Sequence, residues 1–120
     1  MHTVACTEAF LKAAAAAGMS EAAIEALTLQ LAANPTAGDE IVGTGGCRKL
    51  RLAGRGKGKS GGYRIVTFYS GETIPVFLLT VFSKGERADL SQRERNALAD
   101  ITKGIVAAYK RRVVKIGERK

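Results

Sequence analysis

At 120 residues, with a formal net charge of +8 and a pI near 9.9, the chain is long enough for one domain with a single core. Its cations gather at 48–64 and 103–120, so nucleic acid is the first class of partner to expect, acidic protein the second and anionic membrane the last. One histidine, His2, and two cysteines, Cys6 and Cys47, exclude a two-histidine nuclease site, a cysteine metal motif and any disulfide framework beyond one bridge; a reducing cytoplasm is the expected setting.

Residues 2–6 read as a short opening strand. From Thr7, a candidate N-cap with Glu8 in the first turn, Phe10, Leu11, Ala14 and Ala17 recur at helical spacing until Gly18 stops them. Ser20 and Glu21 then start a second helix, whose Ile24, Leu27, Thr28 and Leu31 form one apolar stripe before Asn34-Pro35. The alanine-rich faces permit close approach, so the pair is predicted to be a hairpin packed on one side of a sheet. The apolar run Phe10 to Ala17 is not read as a signal-peptide core, because no basic region precedes it, Lys12 interrupts it and more helix comes after it. No stretch reaches the length of a membrane span.

Residues 35–46 are loop by composition, and their Asp39-Glu40 pair is the only acidic cluster near the basic stretch of the chain. That stretch, Gly45 to Arg64, is dense in Lys, Arg and Gly and holds no Asp or Glu, the composition of a surface for polyanions. At its left end Lys49 and Arg51 alternate with Leu50 and Leu52, so a strand over 47–53 sends two cations to one face and two leucines to the other. A Gly-Lys loop leads to a second strand over 63–70, and the turn Ser70-Gly71-Glu72-Thr73 to a third over 74–82. These form an antiparallel meander. The third strand is apolar on both faces and is predicted to be central, with Pro75 near its start. Ser91-Gln92-Arg93-Glu94 has the Ser-x-x-Glu form of a capping box, and Ala97, Leu98, Ile101, Ile105 and Ala108 continue a helical stripe to about Tyr109. The tail 110–120 carries six cations against Glu118. It stays open between an edge strand through Val113-Val114, a helix end and a flexible tail. The fold class is therefore α+β: one domain over 1–120, with a small antiparallel sheet made of the meander and an N-terminal strand, an N-terminal helical hairpin and a C-terminal helix.

Ala53-Gly54-Arg55-Gly56-Lys57-Gly58-Lys59-Ser60 satisfies a relaxed P-loop pattern, but a phosphate-binding P-loop needs a helix at its Lys-Ser end, and here a strand is predicted. Nucleotide hydrolysis is not expected. What remains is a set of permanent cations: Lys49, Arg51, Lys57, Lys59, Arg64, Lys84 and Arg87, with Tyr63 and Tyr69 close in sequence. In a meander the start of the second strand lies beside the end of the first, so Lys49 or Arg51, Arg64 and Lys84 can converge on one side of the sheet. Such a set can hold a phosphate and stabilise a pentacoordinate transition state. Mutual repulsion would lower a lysine pKa and fit it to act as general base on a ribose hydroxyl.

The segments Gly45-Gly46-Cys47-Arg48-Lys49-Leu50-Arg51-Leu52-Ala53, Gly58-Lys59-Ser60-Gly61-Gly62-Tyr63-Arg64, Phe82-Ser83-Lys84-Gly85-Glu86-Arg87 and Leu90-Ser91 resemble the RelE/HigB branch of the RelE/ParE superfamily of toxins from bacterial toxin–antitoxin pairs. The resemblance covers residues 40–106. It implies a ribosome-dependent, metal-independent mRNA endonuclease that needs no cofactor, acts on mRNA in the ribosomal A site and is neutralised by an antitoxin of helix-turn-helix or RelB-like type. In the family's proposed chemistry a ribose 2′-hydroxyl attacks the adjacent phosphate, with Lys and Arg in place of histidines. Carried onto this chain, the catalytic candidates are Lys49, Arg51, Arg64, Lys84 and Arg87, and the RNA-binding candidates are Arg48, Arg55, Lys57, Lys59 and Tyr63. Two departures stand out. Gly85 replaces an arginine, and Ser91 stands near the place of a tyrosine, so that stacking or an acid role falls to Tyr63 or Tyr109. Fold alone does not separate an mRNA interferase from a ParE-like inhibitor of DNA gyrase or from an RNA-binding module without catalysis.

Overall fold

The computed structural model describes residues 1–53, 62–83 and 89–118, the stretch 110–118 by backbone alone. Strand β1 (Val4–Cys6) leads into helices α1 (Glu8–Ala17) and α2 (Glu21–Ala33); strands β2 (Asp39–Glu40), β3 (Cys47–Leu52), β4 (Tyr63–Phe68) and β5 (Val76–Ser83) come next, and helix α3 (Gln92–Glu118) is last. The helix starts are those expected from the sequence. Thr7 Oγ1 accepts from the Phe10 amide at 3.0 Å and Ser20 Oγ from the Ala23 amide at 3.1 Å. At α3 the capping box closes in both directions, Glu94 N donating to Ser91 Oγ at 3.1 Å and Ser91 N to Glu94 Oε1 at 2.8 Å.

The five strands lie in the order β1-β5-β4-β3-β2. The meander β3-β4-β5 is antiparallel as expected, and β1 adds a parallel partner to β5, with Val4 opposite Val76. Two features depart from the sequence reading. The loop 35–46 contains β2, two residues that pair antiparallel with Lys49 and Arg48, a pairing too short to leave a periodic signal. The central strand is β4, not β5; an apolar run marks a strand covered on both faces but does not say how many neighbours it has. Both strands are interior. A bulge at Leu79 opposite the Val66/Thr67 step is the one irregularity in their ladder.

The sheet is covered on both faces. On one side Phe10 and Ala14 of α1 and Leu27 and Leu31 of α2 pack on Leu50, Ile65, Val76, Leu78 and Val81. On the other, Leu90 and Leu98 with Ile105 and Val106 pack on Cys47, Val66, Phe68, Leu79 and Phe82. Phe10 is wholly buried; truncating such a side chain to alanine typically costs about 3–5 kcal/mol. The tail continues α3 as helix to Glu118, which decides between the three alternatives left open. Cys6 and Cys47 are both free thiols, on strands separated by β4 and β5. Among the described residues no helix is long and apolar enough to cross a membrane.

One polar clasp ties α3 to the loop before β3. The buried Thr102 hydroxyl donates to Thr44 O at 2.9 Å, with Ala99 O equally near, while Thr44 Oγ1 donates to Ile41 O at 2.6 Å and accepts from Cys47 N at 3.2 Å. Thr102→Val keeps the shape and orphans a buried carbonyl, so urea unfolding is expected to show a loss of about 1–2 kcal/mol.

Candidate functional site: a cationic groove at the sheet edge

Strand alternation decides which cations share a face. On β3, Lys49 and Arg51 take the side of Cys47, which faces α3, while Arg48 takes the side of Leu50, which faces α1 and α2. The register sets Arg51 directly opposite Arg64 and Lys49 opposite Val66, with Arg64 opposite Phe82 on its other flank. Lys49, Arg51 and Arg64 therefore lie on one face. Together with Gly38, Asp39 and Leu50 they line an open groove of about 500 Å³. The Arg51–Arg64 pairing is electrostatically unfavourable: directly opposed residues have Cβ atoms about 5 Å apart, and like charges there destabilise a sheet. Folding gains nothing from that pairing. A polyanion does.

Gly38 at the groove wall is required twice over. Its φ of +97° disfavours any side chain, and an added Cβ would sit 2.8 Å from the Lys49 carbonyl oxygen.

Lys49 is held from outside the sheet. Its Nζ donates to Asp89 Oδ1 at 2.7 Å, joining β3 to the residue pair that precedes the α3 cap. The Leu90 amide donates to the same oxygen at 2.8 Å, and Arg95 Nη2 lies 3.8 Å from the other. The Lys49 hydrogen bond, then the Leu90 amide, then the charges of Lys49 and Arg95 hold the Asp89 carboxyl below the usual carboxylate range. The sequence reading weighed only repulsion among the converging cations at a lysine; Lys49 also has a carboxylate partner in Asp89.

The other candidates divide clearly. Arg48 is engaged with the fold on the opposite face, Nη1 donating to Thr36 O at 3.1 Å and Gly38 O at 3.2 Å, and Nη2 to Glu40 Oε2 at 3.3 Å. Tyr63 packs against the core under α1 and α2, on the face away from Arg64. Tyr109 meets Phe77 edge-on at 6.1 Å, at the far end of β5 from Phe82. Ser91 is the helix cap. Arg55, Lys57, Lys59, Lys84 and Arg87 lie outside the described residues; the chain leaves the sheet at Ser83 and resumes at Asp89. The P-loop pattern also falls largely outside them, and β4 begins at Tyr63 where that motif requires a helix. Asp89, Arg95 and Gly38 were missed by sequence reasoning. An isolated acid two residues ahead of a capping box was the available signal for Asp89, but nothing pointed to a partner 40 residues away.

A model of the RelE family, described as the RelE toxin of the RelE/RelB toxin–antitoxin system, matches residues 5–120, nearly the whole chain. The chain belongs to the RelE toxin family. Family membership agrees with the α+β architecture and makes this a toxin of the toxin–antitoxin kind, whose class implies a cognate antitoxin. In this RelE-family fold the groove lies where the meander's cations Lys49, Arg51 and Arg64 converge, with Leu50 of the α1/α2 core in its wall.

The Asp89 contacts make a pH prediction. A carboxyl whose folded pKa is depressed contributes stability that is present above its unfolded value, about 4, and is lost as pH falls through the folded value. Thermal melts of Asp89→Asn should therefore converge on the wild type as pH drops below about 4 and differ from it most at neutral pH.

Proposed function

We propose that the groove binds the RNA backbone and that this RelE-family toxin is a ribosome-dependent, metal-independent mRNA endonuclease. The observation that carries the reading is the direct opposition of Arg51 and Arg64, with Lys49 on the same face. Two arginines placed at electrostatic cost on adjacent strands are aimed by the β3–β4 ladder and need little reorganisation when an anion arrives. A guanidinium carries five N–H donors and no acceptor, so the pair supplies charge and donors rather than a base. In the reaction proposed, the ribose 2′-oxygen forms a bond to phosphorus and the P–O5′ bond breaks. The products are a 2′,3′-cyclic phosphate and a 5′-hydroxyl, which takes the proton given up by the 2′-hydroxyl. Arg51 and Arg64 offset the charge on the equatorial oxygens, Lys49 binds the phosphate at the rim, and Lys84 and Arg87 complete the set. Family membership supports the toxin reading in general; the bond cleaved, the A-site mRNA and the identity of the antitoxin as RelB-like or helix-turn-helix belong to this proposal.

Arg64→Ala is expected to lower cleavage by about 10²–10³-fold while leaving the melting temperature equal or higher, because it removes one half of a like-charge pair. Mapping mRNA 5′ ends in a translating extract measures the first effect and a thermal melt the second. Intact mRNA together with a supercoiling defect after wild-type expression would turn the reading toward gyrase.

The loop cations Lys57 and Lys59 are assigned to steering. Their double alanine variant should keep the cleavage rate at saturating toxin but need more toxin to reach it. The log–log dependence of that half-saturating concentration on salt should become shallower by up to about two, for two lost phosphate contacts. Complete loss of cleavage at saturating toxin, with folding intact, would contradict that role.

A further inference from the structure

The carboxylate of Asp89 lies beside the cationic groove, against Lys49 of its lining, where it works against the phosphate that Lys49, Arg51 and Arg64 attract. Its ion pairs do not explain it as a stability device. The Lys49 and Asp89 side chains are 28% and 47% exposed, and pairs so open to solvent are worth little. What sets Asp89 apart is how firmly it is held. Oδ1 accepts from the amide of Leu90 at 2.8 Å, and Leu90 is 7% exposed, packed in the core between α3 and the sheet with Cys47, Val66 and Phe82. The carboxylate is thus fixed to the backbone at the mouth of α3, and Lys49, on its long flexible stem, docks on it from β3 at 2.7 Å. Arg95, inside the first turns of α3, sits 3.8 Å from the second oxygen and biases the carboxylate's orientation.

We propose that Asp89 is a positioning residue of the groove: pinned by the Leu90 amide, it holds the Lys49 ammonium at the rim where an RNA phosphate is met, so that Lys49 is ordered before substrate arrives. The proposal rests on the ribonuclease reading for its consequence and on the free protein for its geometry. Ordering a flexible lysine in advance removes an entropic cost from the bound state, and a displaced one costs rate more than affinity.

Two measurements test it. In the isolated full-length protein, the ammonium 1H–15N signal assigned to Lys49, identified by its loss in Lys49→Arg, should show restricted motion in wild type and in Asp89→Asn, whose amide oxygen still accepts from Lys49 and Leu90. It should show free rotation in Asp89→Ala. In a translating extract under single-turnover conditions, Asp89→Ala should lower the rate at saturating toxin by about 10–100-fold, with the half-saturating concentration unchanged or lower. Asp89→Asn should recover to within about threefold of wild type, the loss of a charge-assisted bond to a neutral one. A wild-type or faster rate in Asp89→Ala would overturn the proposal and make Asp89 a bystander or a competitor of the phosphate. Equal loss in both variants, or a mobile Lys49 ammonium in wild type, would overturn it as well. If wild type cleaves no mRNA but Lys49 is ordered through Asp89, the ribonuclease reading falls and the brace stands.

Discussion

The structure depends on β4 being buried on both faces. Ile65, Val66, Thr67 and Phe68 are all fully inaccessible, clamped between the α1/α2 core and the α3 core. A strand with one solvated face tolerates a slip poorly; one with two dry faces tolerates it less, because a shift by one residue exchanges every side chain between two differently shaped cores. The register of β4 with β3 and β5 is therefore set by packing along most of its length. Arg64, at its open end, inherits a fixed position without contributing to it.

That division lets the fold carry an unfavourable feature. The opposition of Arg51 and Arg64 weakens one step of the ladder by an amount on the order of 0.2–1 kcal/mol. Burial of a single Phe or Leu in either core contributes about 1.5–3 kcal/mol. The cores win comfortably, and the concentration of charge in the groove survives. The same alternation that builds the groove assigns neighbouring cations to different work. Arg48 and Lys49 are adjacent in sequence, yet one holds the carbonyls of Thr36 and Gly38 and the other faces the groove. Converting one into the other would require turning the strand over.

Much of the fold was legible because its signals are local. Thr7, Ser20 and the Ser91/Glu94 box mark helix starts through hydrogen bonds made within three residues, and the Lys49-Leu50-Arg51-Leu52 alternation marks a strand through its own period. The features that escaped are non-local or too short. A two-residue β2 has no period to read, and the parallel pairing of β1 with β5 joins residues far apart in the chain, Val4 with Val76. The surroundings of the aromatic residues escaped for a related reason: Tyr63 and Tyr109 belong to the right types for stacking on a base, and what they pack against, the α1/α2 core and Phe77, is set by register and by the path of α3.

The stretch from Gly45 to Arg64 concentrates these lessons. By itself the sequence determined that two strands flank a basic loop, that Lys49 and Arg51 share a face, and that the chain has the character of a RelE-type toxin. Charge, period and motif are properties of the chain alone. Only the tertiary structure decided that Arg64 faces Arg51 and not Leu50, that Arg48 and Tyr63 belong to the other face, and that Asp89 meets Lys49 across 40 residues. Those outcomes depend on which side chains the two cores accept and where α3 begins its run across the sheet, and packing between distant segments leaves no mark in any one of them.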